Sequence, residues 1–85
     1  MYHPPEVSAL LMNAKKAHDA GDLQSTVAML SSASEAVPTD PFIANDLGAA
    51  LQLSWRLEEA AVALRRAIEL SPTYAVAMNN LGKKF

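Results

Sequence analysis

Few side chains in this sequence combine the type and the spacing that catalysis or metal binding requires. The two histidines, His3 and His18, lack the spacing of helical metal ligands, and the chain has no cysteine to complete a site. Glu58 and Glu59 are neighbours, but adjacent side chains on a helix diverge by about 100° and do not converge on one substrate atom. The sequence therefore predicts no catalytic residue, metal site or cofactor, and we expect a protein that is not an enzyme.

The charge pattern argues against a nucleic-acid partner. The formal net charge is −2, and the basic residues occur as scattered pairs, such as Lys15 with Lys16 and Arg65 with Arg66, instead of forming one basic face. Charged residues make up 19% of the chain, below the roughly 25% of ordinary soluble domains. Some apolar surface is therefore available for contact, and we expect a protein or peptide partner.

The sequence carries no signal for export or for insertion into a membrane. Its first residues lack a basic segment followed by an apolar run. No apolar stretch approaches the roughly 20 residues that a membrane-spanning helix needs. We therefore expect a cytoplasmic protein with no membrane partner.

The residues repeat after 34 positions, and this period predicts the elements that position the side chains. Pro38 and Pro72 lie 34 residues apart. The same offset joins further identical pairs: Leu23 with Leu57, Leu30 with Leu64, Ala33 with Ala67, Leu47 with Leu81, and Gly48 with Gly82. A period of this length, with apolar residues at helical spacing, predicts a stack of two-helix units. Such stacks usually present a surface to a partner.

Turn residues divide the chain into five predicted helices that follow an irregular lead over residues 1–6. Gly21 and Asp22 form the first turn, Asp40 caps the third helix, and residues 54–56 separate the third helix from the fourth. Residues 7–85 then form one all-α domain, with units over 7–40 and 41–74 and the first helix of a third unit over 75–85. Gly48 falls within a helix, which predicts a close approach of two helices with Leu64 filling the gap between units.

The combined pattern resembles the tetratricopeptide repeat (TPR) family, whose unit is a helix-turn-helix of 34 residues. In the central unit, the residues that stand where the family pattern places them are Leu47, Gly48, Leu51, Leu57, Glu58, Glu59, Ala60, Leu64, Ala67 and Pro72. The first unit is degenerate, with Asn13, Ala14 and Thr26 in place of the family's residues. The resemblance implies about two and a half repeats, in which five antiparallel helices form a right-handed superhelical stack.

The resemblance also implies a concave groove lined by the first helix of each unit. The positions that it places at this groove are Leu11, Lys15, His18, Phe42, Asn45, Asp46, Ala49, Gln52, Val76, Asn79, Asn80 and Lys83. The alternative is that these side chains form only the exposed polar faces of their helices. Asp46 would repel a terminal carboxylate, which disfavours the carboxylate clamp of one TPR subclass. The mixed apolar and amide lining favours the backbone of an extended peptide.

Trp55 stands at the turn where the family usually has glycine. Tryptophan is enriched among the residues that anchor protein partners, so one interpretation is an exposed anchor. The other is a ring that folds back over the neighbouring helix ends and covers local apolar surface. We favour the second interpretation.

Two classes of function remain open. The first is a non-catalytic protein–protein interaction scaffold that binds a peptide or a partner domain in the groove. The alternative is an N-terminal assembly or substrate-docking module of a larger enzyme, such as a transferase. The last predicted helix has no second helix to cover Met78, Leu81 and Phe85. We therefore expect either a homo-oligomer that associates through this end or a longer repeat protein.

Overall fold

A computed structural model describes residues 4–71, which form four α-helices and no strand. The helices are α1 (Pro5–Asp19), α2 (Leu23–Ala36), α3 (Pro41–Leu53) and α4 (Leu57–Leu70). The all-α prediction is confirmed for this part of the chain. The predicted fifth helix over 75–85, with its proposed self-association residues Met78, Leu81 and Phe85, lies outside the described residues.

The first helix begins earlier than the sequence pattern predicts. Pro5 and Glu6 belong to α1, although we expected an irregular lead as far as residue 6. Proline suits the first turn of a helix because its missing N–H would have no intrahelical acceptor there and its φ is already helical. Pro5 therefore starts α1, and the carboxylate of Glu6 lies in the positive first turn.

The helices pack in chain order, each against the next. Contacts join α1 to α2, α2 to α3 and α3 to α4, whereas no Cα atom of α1 lies within 8 Å of a Cα atom of α3. The largest buried cluster spans all four helices and comprises Ala14, Val27, Leu30, Ala50, Leu51, Ala60 and Ala63. Because α2 separates α1 from α3, these two helices form walls on either side of it.

The 34-residue period extends to individual backbone hydrogen bonds. At the end of α1, the N–H of Asp22 donates to the carbonyl of Ala17 at 2.8 Å. At the end of α3, the N–H of Arg56 donates to the carbonyl of Leu51 at 2.9 Å. In each turn, a second hydrogen bond of shorter range lies within this one. The two bonds together form the Schellman arrangement, in which a helix ends in a left-handed residue. The two described units thus share one turn geometry.

The close approach predicted at Gly48 is present between α3 and α4. A Cβ atom added at Gly48 would lie 2.6 Å from both Cγ and Cδ2 of Leu64 and 3.4 Å from the carbonyl oxygen of Ala60. Leu64 and Ala60 are fully buried. Glycine at this position therefore lets the backbone of α3 rest directly on the side chain of Leu64.

Polar contacts fix how α3 is held between its neighbours. The buried carboxylate of Asp40 accepts hydrogen bonds from the N–H groups of Phe42 and Ile43, at 2.9 and 3.3 Å, and so caps α3. From α4, Nε and Nη2 of Arg66 both donate to the carbonyl oxygen of Pro38, at 3.0 and 2.9 Å. The loop before α3 is therefore hydrogen-bonded to the first turn of α3 through Asp40 and to α4 through Arg66.

The interpretation that the ring of Trp55 covers apolar surface is wrong. The residue is 78% exposed and has a φ of 60°, in the left-handed region of the backbone. Helical periodicity does not extend to such a turn residue, because its backbone has left the helical region.

Candidate functional site: a concave cavity between α1 and α3

An open cavity of about 500 Å³ lies between α1 and α3. Its floor includes Thr26 and Leu30 of α2, which are buried in the core. The remaining lining residues come from the two walls, namely Leu11, Ala14, Lys15, His18, Asp19, Phe42, Ile43, Asp46, Ala49, Ala50 and Leu53. The cavity follows from the packing order, since α1 and α3 both rest on α2 without touching through their backbones. Its volume is within the usual range for ligand sites, roughly 300–1,000 Å³.

The α3 wall carries one stripe of side chains along the cavity. Phe42, Asp46, Ala49 and Leu53 follow one another at intervals of three or four residues, the spacing of one helix face. Phe42 is 57% exposed and Leu53 is 53% exposed, at the two ends of the stripe. At a rise of 1.5 Å per residue, their Cα atoms are separated by about 16 Å along the axis. This wall therefore offers two apolar contacts with a carboxylate between them.

The α1 wall is more polar and carries both signs of charge. Leu11 is half-buried near the floor, whereas Lys15, His18 and Asp19 are exposed towards the opening. Nδ1 of His18 lies 3.7 Å from Oδ1 of Asp19, and both side chains are more than half exposed. An exposed pair of this kind contributes little to stability. These groups are therefore available at the rim of the cavity.

Asp46 is the charged residue of the α3 wall. Burial of its carboxyl group raises its pKa above the ordinary value, and the nearby negative charge of Asp40 raises it further. No hydrogen bond or ion pair to Asp46 is present in residues 4–71. Its ionised form is thus partly desolvated without a compensating partner, although more than a third of the residue surface reaches solvent.

The structure brings together six of the residues that the resemblance assigns to the groove. Leu11, Lys15, His18, Phe42, Asp46 and Ala49 all line this one cavity. Asn45, which is 4% exposed, is not among the lining residues. Gln52 is also absent from the lining. Val76, Asn79, Asn80 and Lys83 lie outside the described residues.

Packing explains both the buried asparagine and a lining residue that sequence reasoning missed. Because α3 packs on α2 and on α4, only a narrow strip of its surface remains open, and Asn45 is outside that strip. Leu53 is inside it, four residues after Ala49 and therefore on the same helix face. That spacing is readable in the sequence and could have identified Leu53.

A second, smaller cavity of about 320 Å³ lies among α2, α3 and α4. It is lined by Ser34, Ala44, Leu47, Leu51, Glu59, Val62, Ala63 and Arg66. Its ionised rim residues are already engaged, since Glu59 pairs with Arg56 at 2.7 Å and Arg66 donates to Pro38. It therefore offers a matched surface against which contacts at the concave cavity can be compared.

Residues 4–71 contain neither a membrane-spanning helix nor a metal-binding cluster. No helix in this range is long and apolar enough to cross a lipid bilayer. No group of three histidine, aspartate or glutamate side chains in the same range has an arrangement that could hold a metal ion.

No protein-family model matches the sequence, and no curated protein shows significant similarity to it.

Proposed function

We propose that this chain is a non-catalytic protein-interaction module, and that its concave cavity binds an extended segment of a partner protein. The observation that carries the proposal is the α3 wall, where Phe42 and Leu53 remain more than half exposed at the two ends of one wall of an open cavity. Exposed apolar side chains that rim a concavity with a few polar groups are typical of binding sites.

The proposal includes membership of the TPR family and continuation of the stack. Helices α1 and α2 are repeated by α3 and α4 at the same 34-residue offset, down to the hydrogen bonds that end α1 and α3. We infer that residues 75–85 continue this pattern as a fifth helix in a right-handed superhelix. Val76, Asn79, Asn80 and Lys83 would then extend the groove beyond the α3 wall.

The apolar contacts are sufficient for a reversible interaction. Covering a half-exposed Phe42 or Leu53 contributes about 1–1.5 kcal/mol each, by the usual relation between apolar area and free energy. Hydrogen bonds to the peptide backbone favour binding, whereas the loss of the peptide's conformational freedom opposes it. We therefore expect a dissociation constant of about 1–100 μM, because a few kilocalories per mole must come from the remaining contacts.

The test is selection from a random 12-residue peptide library, followed by binding measurements with purified variants of the full chain. Phe42→Ala and Leu53→Ala each remove one exposed contact from the concave cavity. Val62→Ala is the matched control, because Val62 is 67% exposed in the second cavity. All three positions are exposed, so the substitutions leave the buried core intact, and circular dichroism of each variant checks its fold.

We expect Phe42→Ala and Leu53→Ala each to weaken binding of the selected peptides about fivefold or more, and Val62→Ala to change it less than twofold. Failure to select any peptide, or equal sensitivity at all three positions, would overturn the proposal. Loss of binding in Val62→Ala alone would move the interaction surface to the second cavity.

A further inference from the structure

Resting on the proposed function, we propose that the bound segment presents a lysine or arginine side chain to Asp46. Apolar side chains on both sides of that cation contact Phe42 and Leu53. The site thereby selects a class of peptide, in which one cationic residue lies between two apolar ones.

The first argument is the state of the Asp46 carboxylate in the free protein. It lies between the two apolar contacts of the α3 wall and has no hydrogen-bond or ion-pair partner within residues 4–71. Lys15 and His18 line the same cavity from the opposite wall, and no side-chain nitrogen atom of either lies within 4.0 Å of the Asp46 carboxylate. A ligand cation would supply the missing partner.

The second argument is the energetics of the position. Burial and the negative charge of Asp40 disfavour the ionised form of Asp46, so its carboxylate costs stability while the cavity is empty. The attraction of a cation beside it offsets part of that penalty, and this attraction strengthens as the bound peptide excludes water from the carboxylate. The same carboxylate repels an anionic or phosphorylated segment, because like charges brought together at an interface cost several-fold in affinity.

The third argument is the spacing along α3. Phe42 lies four residues before Asp46, and Leu53 lies seven residues after it. At 1.5 Å per residue these separations are about 6 and 10 Å along the helix. An extended peptide advances about 3.3 Å per residue. Because alternate side chains of an extended peptide face the same wall, the cation is expected two residues from the apolar side chain at Phe42 and two to four residues from the one at Leu53.

The experiment uses peptides from the random library that bind the wild-type chain. Each is synthesised in two forms, as selected and with its lysine or arginine replaced by glutamine. Both forms are titrated against the wild-type chain, Asp46→Asn and Glu58→Gln. Glu58→Gln is the control, because it removes one negative charge from an exposed residue of α4 that lines neither cavity.

We expect Asp46→Asn to weaken binding of the cationic form about five- to tenfold and binding of the glutamine form less than twofold. Glu58→Gln should change binding of either form less than twofold. Raising the salt concentration from 0.05 to 0.5 M should weaken binding of the cationic form to the wild-type chain. It should leave binding of the glutamine form, and binding to Asp46→Asn, nearly unchanged.

Two results separate this inference from the proposed function on which it rests. If peptide binding depends on Phe42 and Leu53 but glutamine replaces the cation without loss, the inference is wrong and the proposed function stands. If no selected peptide depends on Phe42 or Leu53, both are wrong. Equal effects of Asp46→Asn and Glu58→Gln would reduce the role of Asp46 to general electrostatic attraction and would also overturn the inference.

Discussion

Gly21 and Trp55 occupy the same left-handed backbone position, one repeat apart. Their φ angles are 80° and 60°, and each is the residue that follows the end of a helix in the same pattern of hydrogen bonds. Glycine adopts this conformation without strain, whereas a side chain with a Cβ atom does not. The second unit therefore places a large, exposed aromatic residue where the backbone favours glycine.

Trp55→Gly is expected to stabilise the protein. The substitution relieves left-handed strain of about 1 kcal/mol, and the 78% exposed side chain gives up little buried area. The converse change, Gly21→Ala, should destabilise by about 1 kcal/mol, because no atom lies within 4 Å of the added Cβ and only the backbone opposes it. Urea denaturation of both variants measures these effects, and a loss of stability in Trp55→Gly would show that its side chain stabilises the turn.

Gly48→Ala is expected to destabilise the protein despite the better helix propensity of alanine. The added Cβ would lie 2.6 Å from Cγ and Cδ2 of the fully buried Leu64, so this side chain would have to shift within the core. Overpacking of this kind costs about 1–3 kcal/mol, against about 1 kcal/mol gained in propensity, so we expect a net loss of up to about 2 kcal/mol. Ala49→Gly, in the same helix, measures the difference in helix propensity between alanine and glycine without overpacking. A gain of stability in Gly48→Ala would contradict the close contact.

Asp40→Ala is expected to cost about 1–2 kcal/mol of stability, because it removes the acceptor for the N–H groups of Phe42 and Ile43 at the start of α3. Asp40→Asn keeps an oxygen acceptor in the same place and should retain most of the stability. Thermal unfolding of the two variants makes the comparison. Equal losses in both would assign the effect to the charge of Asp40 instead of the cap.

Asp46→Asn is expected to raise stability at pH 7 and to lose this advantage in acid. Because the pKa of Asp46 is raised in the folded state, the folded protein binds this proton more tightly than the unfolded chain does. The penalty of the ionised carboxylate is therefore present above the folded pKa. It is relieved as the pH falls through that pKa towards the ordinary value of 3.8.

The measurement is the difference in thermal midpoint between Asp46→Asn and the wild type at pH 7 and at pH 3. The other charged or titratable groups around Asp46 are Lys15, His18 and Asp19 across the cavity and Asp40 at the start of α3, whereas α2 contributes only the uncharged Thr26 and Leu30 to the lining. Asp19→Asn controls for the loss of one charge. A pH-independent difference would contradict the desolvation of Asp46.

The local signals in the sequence were sufficient for most of the described elements. Gly21, Asp40 and the helical spacing of apolar residues predict the ends of the helices, because capping and left-handed turns depend on only a few neighbouring residues. The repeat also predicts the contact of Gly48 with Leu64. Each of these features is determined by residue type at a fixed offset.

The rotation of α3 about its own axis is not determined by residue types at fixed offsets. Asn45 is buried and Leu53 borders the cavity because α3 packs on two helices at once, and the strip that remains open depends on both contacts. The exposure of Trp55 likewise depends on the direction of one left-handed residue. Tertiary geometry therefore decides which of the predicted groove residues meet at the site.

The most direct test of the central claim is an NMR titration of the ¹⁵N-labelled full chain with a peptide selected from the random library. We expect the largest shifts of backbone amide signals along the two walls of the concave cavity, at Lys15 on α1 and at Phe42, Asp46 and Leu53 on α3, with little change at Val62. The largest shifts at Val62 and its neighbours on α4, with the walls unchanged, would contradict the claim.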